Sequence, residues 1–185
     1  MLEKTYGSAV YGVDATTITI EVSVVTGTNY FMVGLPDSAV KESWFRIESA
    51  FRYSGFEMPR KKIIINLAPA DIRKEGSAYD LPMAIGIMKA NEQFEDTIDV
   101  SKYIIMGELS LDGSIQPIKG ALPIAIQARK EGFKGFILPK ANAREAGIVN
   151  NLDVYGVENI KEVVQFIEGK ITLHPTFFDT RQAFE

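Results

Sequence analysis

The chain has 185 residues, enough for one domain with a sizeable core. Apolar residues make up 46% and charged residues 24%, an ordinary globular composition, and the net charge of −4 argues against a protein that coats nucleic acid by charge alone. The absence of cysteine excludes disulfides, thiolate metal sites and cysteine nucleophiles and suits a reducing compartment, while the single histidine, His174, cannot build a zinc cluster by itself.

The opening MLEKTYGSAVYGV lacks a basic start followed by an apolar core, so it does not read as a signal peptide. No run approaches the length of a membrane span, and the expected location is the cytoplasm. Ile18, Ile20, Val22 and Val24 alternate with Thr17, Thr19, Glu21 and Ser23, which predicts a half-buried strand. TGTN then turns into a second strand from Tyr30 to Val33. The spacing of Val40, Trp44, Ile47 and Phe51 marks one stripe of a helix, with Pro36 and Asp37 in its first turn and Gly55 at its end. Trp44 reads as core, and Phe45 lies off the stripe. Ile63 to Leu67 is a short apolar strand expected to be buried on both faces. DLPMAIGIMKA is apolar nearly all round and predicts an internal helix. YIIMGELSLDGSIQPI is a hairpin signal turning at Asp112-Gly113. ALPIAIQARKEG is a helix closed by Gly132, FKGFILP a strand, NAREAGI a short helix and LDVYGV a further strand. NIKEVVQFIEG is a helix with Asn159 as cap, Glu162 three residues on and Gly169 as stop. The expected organisation is one two-layer α+β domain over residues 1–170, with 171–185 as a linker.

No phosphate-binding loop of the G-x-x-x-x-G-K-[ST] kind and no dinucleotide fingerprint occurs. Asp71, Glu75 and Asp80 lie close in sequence and are of the type that binds magnesium, but solvating a loop and capping a helix account for them without a metal, and no metal site is expected. Basic residues group at Arg60, Lys61 and Lys62 and again at Arg73 and Lys74, the candidates for contact with DNA phosphates. They bracket a strand whose ends lie roughly 15 Å apart at ~3.3 Å per residue.

VGLPDSAVKES, SGFEMPRKKIIINLAPADIRKEGSAYDLPMAIGI and GELSLDGSIQPIKGALPIA closely resemble the amino-terminal domain of the ComM/YifB family of magnesium-chelatase-like AAA+ proteins. The resemblance implies a fold like the Lon proteolytic domain, with helices packed on one sheet and a βαβ unit that crosses over left-handed, against the general rule. It implies a longer protein whose ATPase module uses ATP and magnesium, no cofactor in this chain, a hexameric ring, and a link to natural transformation and branch migration of DNA. The Lon-type motif G-P-S-A-G laid on this sequence puts its first glycine on Gly76, its proline on Ser77, its nucleophilic serine on Ala78 and its last glycine on Asp80. The partner lysine, eleven residues after the glycine of the hairpin turn, falls on Ile124. Trp44 and Phe45 stand where the family leads one to expect charge.

The reading that follows is a non-catalytic domain of a ComM-like ATPase that supports ring assembly and guides DNA, and is not itself an enzyme. Its rivals are a serine–lysine peptidase using Ser77 and a stand-alone nucleic-acid-binding module. Ser77 lacks a base, since Lys74 precedes it in the same loop and Ile124 takes no proton. Pro82 is tolerated only in a helix's first turn, which makes Asp80 the expected helix cap and leaves Ser77 in the loop.

Overall fold

The computed structural model describes residues 1–179. β1 (Leu2–Tyr11) and β2 (Asp14–Val25) form a long antiparallel hairpin whose turn leaves Val13 exposed. β3 (Tyr30–Val33) leads through α1 (Ser38–Lys41) and α2 (Ser43–Ser54) to β4 (Lys62–Ala68), its parallel neighbour. α3 (Asp80–Ala90) follows a loop, then β5 (Tyr103–Ile105) and the short hairpin of β6 (Glu108–Leu109) and β7 (Ile115–Gln116). The chain closes with α4 (Ala121–Lys130), β8 (Gly135–Pro139), α5 (Lys140–Ala146), β9 (Asp153–Val157) and α6 (Ile160–Ile167). The main sheet has seven strands in the order β3-β4-β2-β1-β5-β8-β9, with only β2 running against the rest.

Strand alternation decides which side chains meet which helices. Ile18, Ile20 and Val22 on β2, beside Thr5 and Gly7 on β1, point toward α3. The approach is close: a Cβ on Gly86 would come within 2.7 Å of the Val22 side chain, and the Thr5 hydroxyl donates to the Pro82 carbonyl at 2.8 Å. The opposite face of β1 and β2 carries α4, with Gly120 at its start against Val10 and Glu131 just past its end accepting from the Thr17 hydroxyl at 2.6 Å. The α+β class expected from the sequence therefore stands, but helices cover both faces of the sheet's middle rather than one. Buried Phe136, Ile137 and Leu138 on β8 fit that double cover.

β4 differs from its expectation. Ile63, Ile65 and Leu67 are fully buried, but Ile64 is half-buried on the far face beside Phe31 of β3, which is 47% exposed. The face that holds Ile64 and Phe31 is left partly open, so a strand apolar on both faces buries only one fully. The helix expected from residue 36 onward is broken after Lys41 into α1 and α2. Asp37 does start it, its carboxylate accepting from the Val40 amide at 2.8 Å, and Gly55 ends it at φ 83°. α6 begins as its sequence signals, with Asn159 Oδ1 accepting the Glu162 amide at 2.9 Å.

The segment expected to be a linker lies against the domain as far as it is described. Ile171 and Leu173 pack on the core, and the Thr176 amide donates to the Val154 carbonyl at 2.7 Å. Arg144 stacks on Phe178 at 4.3 Å. Residues 180–185 of that expected linker lie outside the described residues.

Candidate functional site

Ser77 and Ala78 line a cleft of about 660 Å³ whose other walls come from Ser8 and Val10 of β1, from Met106 and Glu108, and from Pro117 to Lys119. Its construction starts in the loop before α3. Gly76 takes φ 85°, which favours glycine, and its amide donates to Asp37 Oδ2 at 3.1 Å. The Ala78 carbonyl accepts from the Gly107 amide at 2.9 Å, and the Leu81 amide donates to the Gly107 carbonyl at 3.0 Å. These bonds tie the loop to the strand end between β5 and β6. The Ser77 carbonyl receives the Asp80 amide at 3.2 Å, and the Ser77 hydroxyl makes no hydrogen bond among the described residues.

Asp80 is not the helix cap that the sequence predicts. It is the first helical residue, is fully buried, and makes no capping bond. Its carboxylate turns sideways, accepting Arg46 Nε at 2.7 Å, the second Arg46 nitrogen at 3.0 Å and the Leu109 amide at 3.0 Å. Burial pushes the carboxyl up from its ordinary value, with Arg46, Ser43 and the Leu109 amide pulling it back, and the Asp80 hydrogen bond raises the Arg46 guanidinium in turn. A carboxylate facing a guanidinium in a fork is held more strongly there than by a single backbone amide, so the pair wins over the cap. Pro82 is still accommodated as the third helical residue, ahead of the first amide that needs an intrahelical acceptor.

Lys74 is a second correction. It is fully buried, and its ammonium donates to the Gly34 carbonyl at 2.8 Å and to the Pro69 carbonyl, with its amide on the Leu35 carbonyl at 3.0 Å. Burial lowers its pKa. Lys74 clamps two loops together and is not available to DNA. Arg73 is exposed and pairs with Glu75 at 3.4 Å. At the other end of β4, Arg60 and Lys61 line a depression with Tyr30 and Trp44, whose rings stack with centroids 4.0 Å apart. Lys61 Nζ donates to Asn91 at 3.0 Å, and Lys62 Nζ stands 5.8 Å from the Phe31 ring centre. The two basic groups thus stay at opposite ends of the strand, about 20 Å apart at ~3.3 Å per residue. The three acids do not gather either: Asp71 is exposed, Glu75 pairs with Arg73, and Asp80 is buried on Arg46.

Ile124, on which the resemblance lays the Lon-type lysine, is buried in α4, and Lys119 lines the cleft. Arg46 was missed by the sequence reading; its only signal was its place on the α2 turn after Glu42, with which it pairs at 3.8 Å. The contribution of β1 to the cleft has no sequence signal, because the walls come from segments far apart in the chain.

Fold and cleft together define an α+β domain with a solvent-facing cleft at the start of a buried helix. The chain belongs to the family described as subunit ChlI of Mg-chelatase, whose model matches residues 20–142. It is 43% identical over 166 residues to the protein called Uncharacterized protein YifB of Escherichia coli K12, covering 89% of this chain and 32% of that one. It is 40% identical over 166 residues to the Competence protein ComM of Haemophilus influenzae, again 89% of this chain and 32% of the relative. The archaeal Lon protease of Thermococcus kodakarensis is 29% identical over 118 residues, 62% of this chain and 18% of that protease. The chain spans about a third of the length of the YifB and ComM proteins it matches.

Proposed function

We propose that this chain is the non-catalytic amino-terminal domain of a cytoplasmic ComM-like AAA+ ATPase, where it supports assembly of a hexameric ring and guides DNA in natural transformation or branch migration. The similarity to the Competence protein ComM of Haemophilus influenzae supports the context. ATP and magnesium belong in this reading to an ATPase module outside these residues. The observation that carries the non-catalytic role is the pair Ala78 and Ile124: the first has no hydroxyl and the second is buried with no proton to exchange. Ser77 does not replace them, since its hydroxyl has no hydrogen bond to a base among the described residues. Incubation with a fluorophosphonate is expected to leave Ser77 unlabelled, and no hydrolysis of peptide is expected. Label on Ser77, or hydrolysis that disappears in Ser77→Ala, refutes the reading and favours the serine–lysine peptidase.

Guidance of DNA rests on Arg60, Lys61 and Lys62, with Arg73 as a separate contact and Lys74 withdrawn. The net charge of −4 keeps affinity modest and strongly salt-dependent. Triple replacement of Arg60, Lys61 and Lys62 by alanine is expected to flatten the plot of log affinity for single-stranded DNA against log salt by about 2, from ~0.7 per phosphate contact. An unchanged slope places the DNA elsewhere.

A further inference from the structure

The cleft beside Ser77 has a wall that the proposed function does not use: the free edge of β1. β1 pairs with β5 at Tyr6 alone, and β5 ends at Ile105. Beyond that point the Ser8 amide has only the Met106 sulfur as partner among the described residues, at 3.4 Å, although Ser8 is 3% exposed. Its N–H therefore points away from β2 and into the cleft. Backbone groups alternate sides along a strand, so the Val10 N–H and the carbonyls of Ser8 and Val10 face the same way. None of these has a hydrogen-bond partner among the described residues. The outer edge of a short stretch of strand is left without a neighbouring strand inside a walled cleft, where backbone groups normally find partners.

A second set of unused donors belongs to residues that line the same cleft. The amides of Ser77, Ala78 and Tyr79 have no acceptor among the described residues, whereas Gly76 before them and Asp80 after them are both satisfied. Apolar Met106 and Ile118, both buried, contribute to the lining between these polar strips, with Lys119 and Glu108 alongside. Unpaired strand groups on one side, free amides on another and an apolar lining are what an extended main chain requires: it pairs with the edge and places alternate side chains on the lining.

We infer that this cleft binds an extended peptide segment, which adds to β1 at Ser8 and Val10 and is not cut. Carbonyls of the guest reach the amides of Ser77 to Tyr79. The absence of cleavage rests on the non-catalytic reading above; the docking itself does not.

The test uses a fluorescein-labelled eight-residue peptide of alternating valine and threonine closed by lysines, titrated with the chain and followed by anisotropy and by amide NMR. Saturable binding is expected, with shifts at Ser8, Val10 and Ser77 to Tyr79. The same peptide with alternate amides N-methylated keeps its side chains and loses at least tenfold in affinity. Val10→Pro removes an edge donor that the β1–β2 ladder does not use and is expected to cost a similar factor. Ser77→Trp fills the cleft from the loop and does the same, so a misfolded Val10→Pro does not leave the idea untested. Lack of saturation by the unmodified peptide at 1 mM, equal binding of the N-methylated peptide, or shifts confined to the β3 end each overturns the inference. Mass spectrometry of the recovered peptide separates the two claims. Intact peptide supports both, and cleaved peptide sinks the non-catalytic reading while leaving the docking site in place.

Discussion

Asp80 joins three pieces of the molecule through one carboxylate: α3, which carries it, α2 through Arg46, and the β6–β7 hairpin through the Leu109 amide. A cap contributes about 1 kcal/mol, and a buried ion pair that loses one member costs about 3 kcal/mol or more, because the remaining charge keeps its desolvation without its partner. Asp80→Ala is therefore expected to destabilise by about 3 kcal/mol in urea denaturation, and a loss near 1 kcal/mol would restore the cap as its main role. The double variant Asp80→Ala with Arg46→Leu is expected to be more stable than the single one, since no orphaned guanidinium remains. Lys74 shows the same lesson. Two carbonyls hold its ammonium inside the loop, although its neighbour Arg73 in the same basic pair is free to the solvent.

At the scale of elements, β4 gives the clearest contrast. Ile65 points into the core and is fully buried, while Ile64 faces the more open side with Phe31. Ile65→Ala is expected to cost about 3 kcal/mol through lost burial and the cavity left behind, and Ile64→Ala about 1 kcal/mol or less. Thermal unfolding of the two variants measures the difference, and equal losses would mean that the far face is covered in solution. The periodicity of the sequence made β4 a strand but did not distinguish its faces, because three consecutive isoleucines carry no alternation. Where alternation was present, as in β2, the buried side followed directly: Ile18, Ile20, Val22 and Val24 are the buried set.

Over the whole molecule, the buried and half-buried phenols are expected to make stability fall at alkaline pH. Burial raises the pKa of Tyr30 and of Tyr79 above the ordinary phenol value, with Asp80 adding to the effect at Tyr30. In the unfolded chain both phenols ionise near 10, so the folded state binds more protons above that pH. The stabilising contribution is complete below pH ~10 and is lost as pH rises beyond it, by up to ~1.4 kcal/mol per pH unit for each tyrosine. Urea midpoints at pH 9, 10 and 11 are expected to fall, and Tyr79→Phe to fall less steeply. A flat profile in the parent chain contradicts the raised pKa of the two phenols.

The sequence by itself determined most of the element types and several of their ends, although β1 carried no pattern that marked it and the helix after Asp37 broke in two. Apolar periodicity and the chemistry of caps and turns act within a few residues, so Asn159, Gly55 and the Asp112-Gly113 turn did in space what they signalled in the chain. It also determined that Ala78 and Ile124 bring no hydroxyl and no amine, since residue identity does not depend on folding. The tertiary structure alone decided the rest. Whether Asp80 caps or pairs depends on Arg46, thirty-four residues earlier, coming within 2.7 Å. Whether Lys74 reaches solvent depends on Gly34 and Pro69 closing over it. The cleft exists because β5 ends at Ile105 and leaves the outer edge of β1 at Ser8 and Val10 without a neighbouring strand beside the loop of Ser77. Each of these is a competition between partners distant in the chain, and which partner wins is set by burial and geometry that no local pattern records.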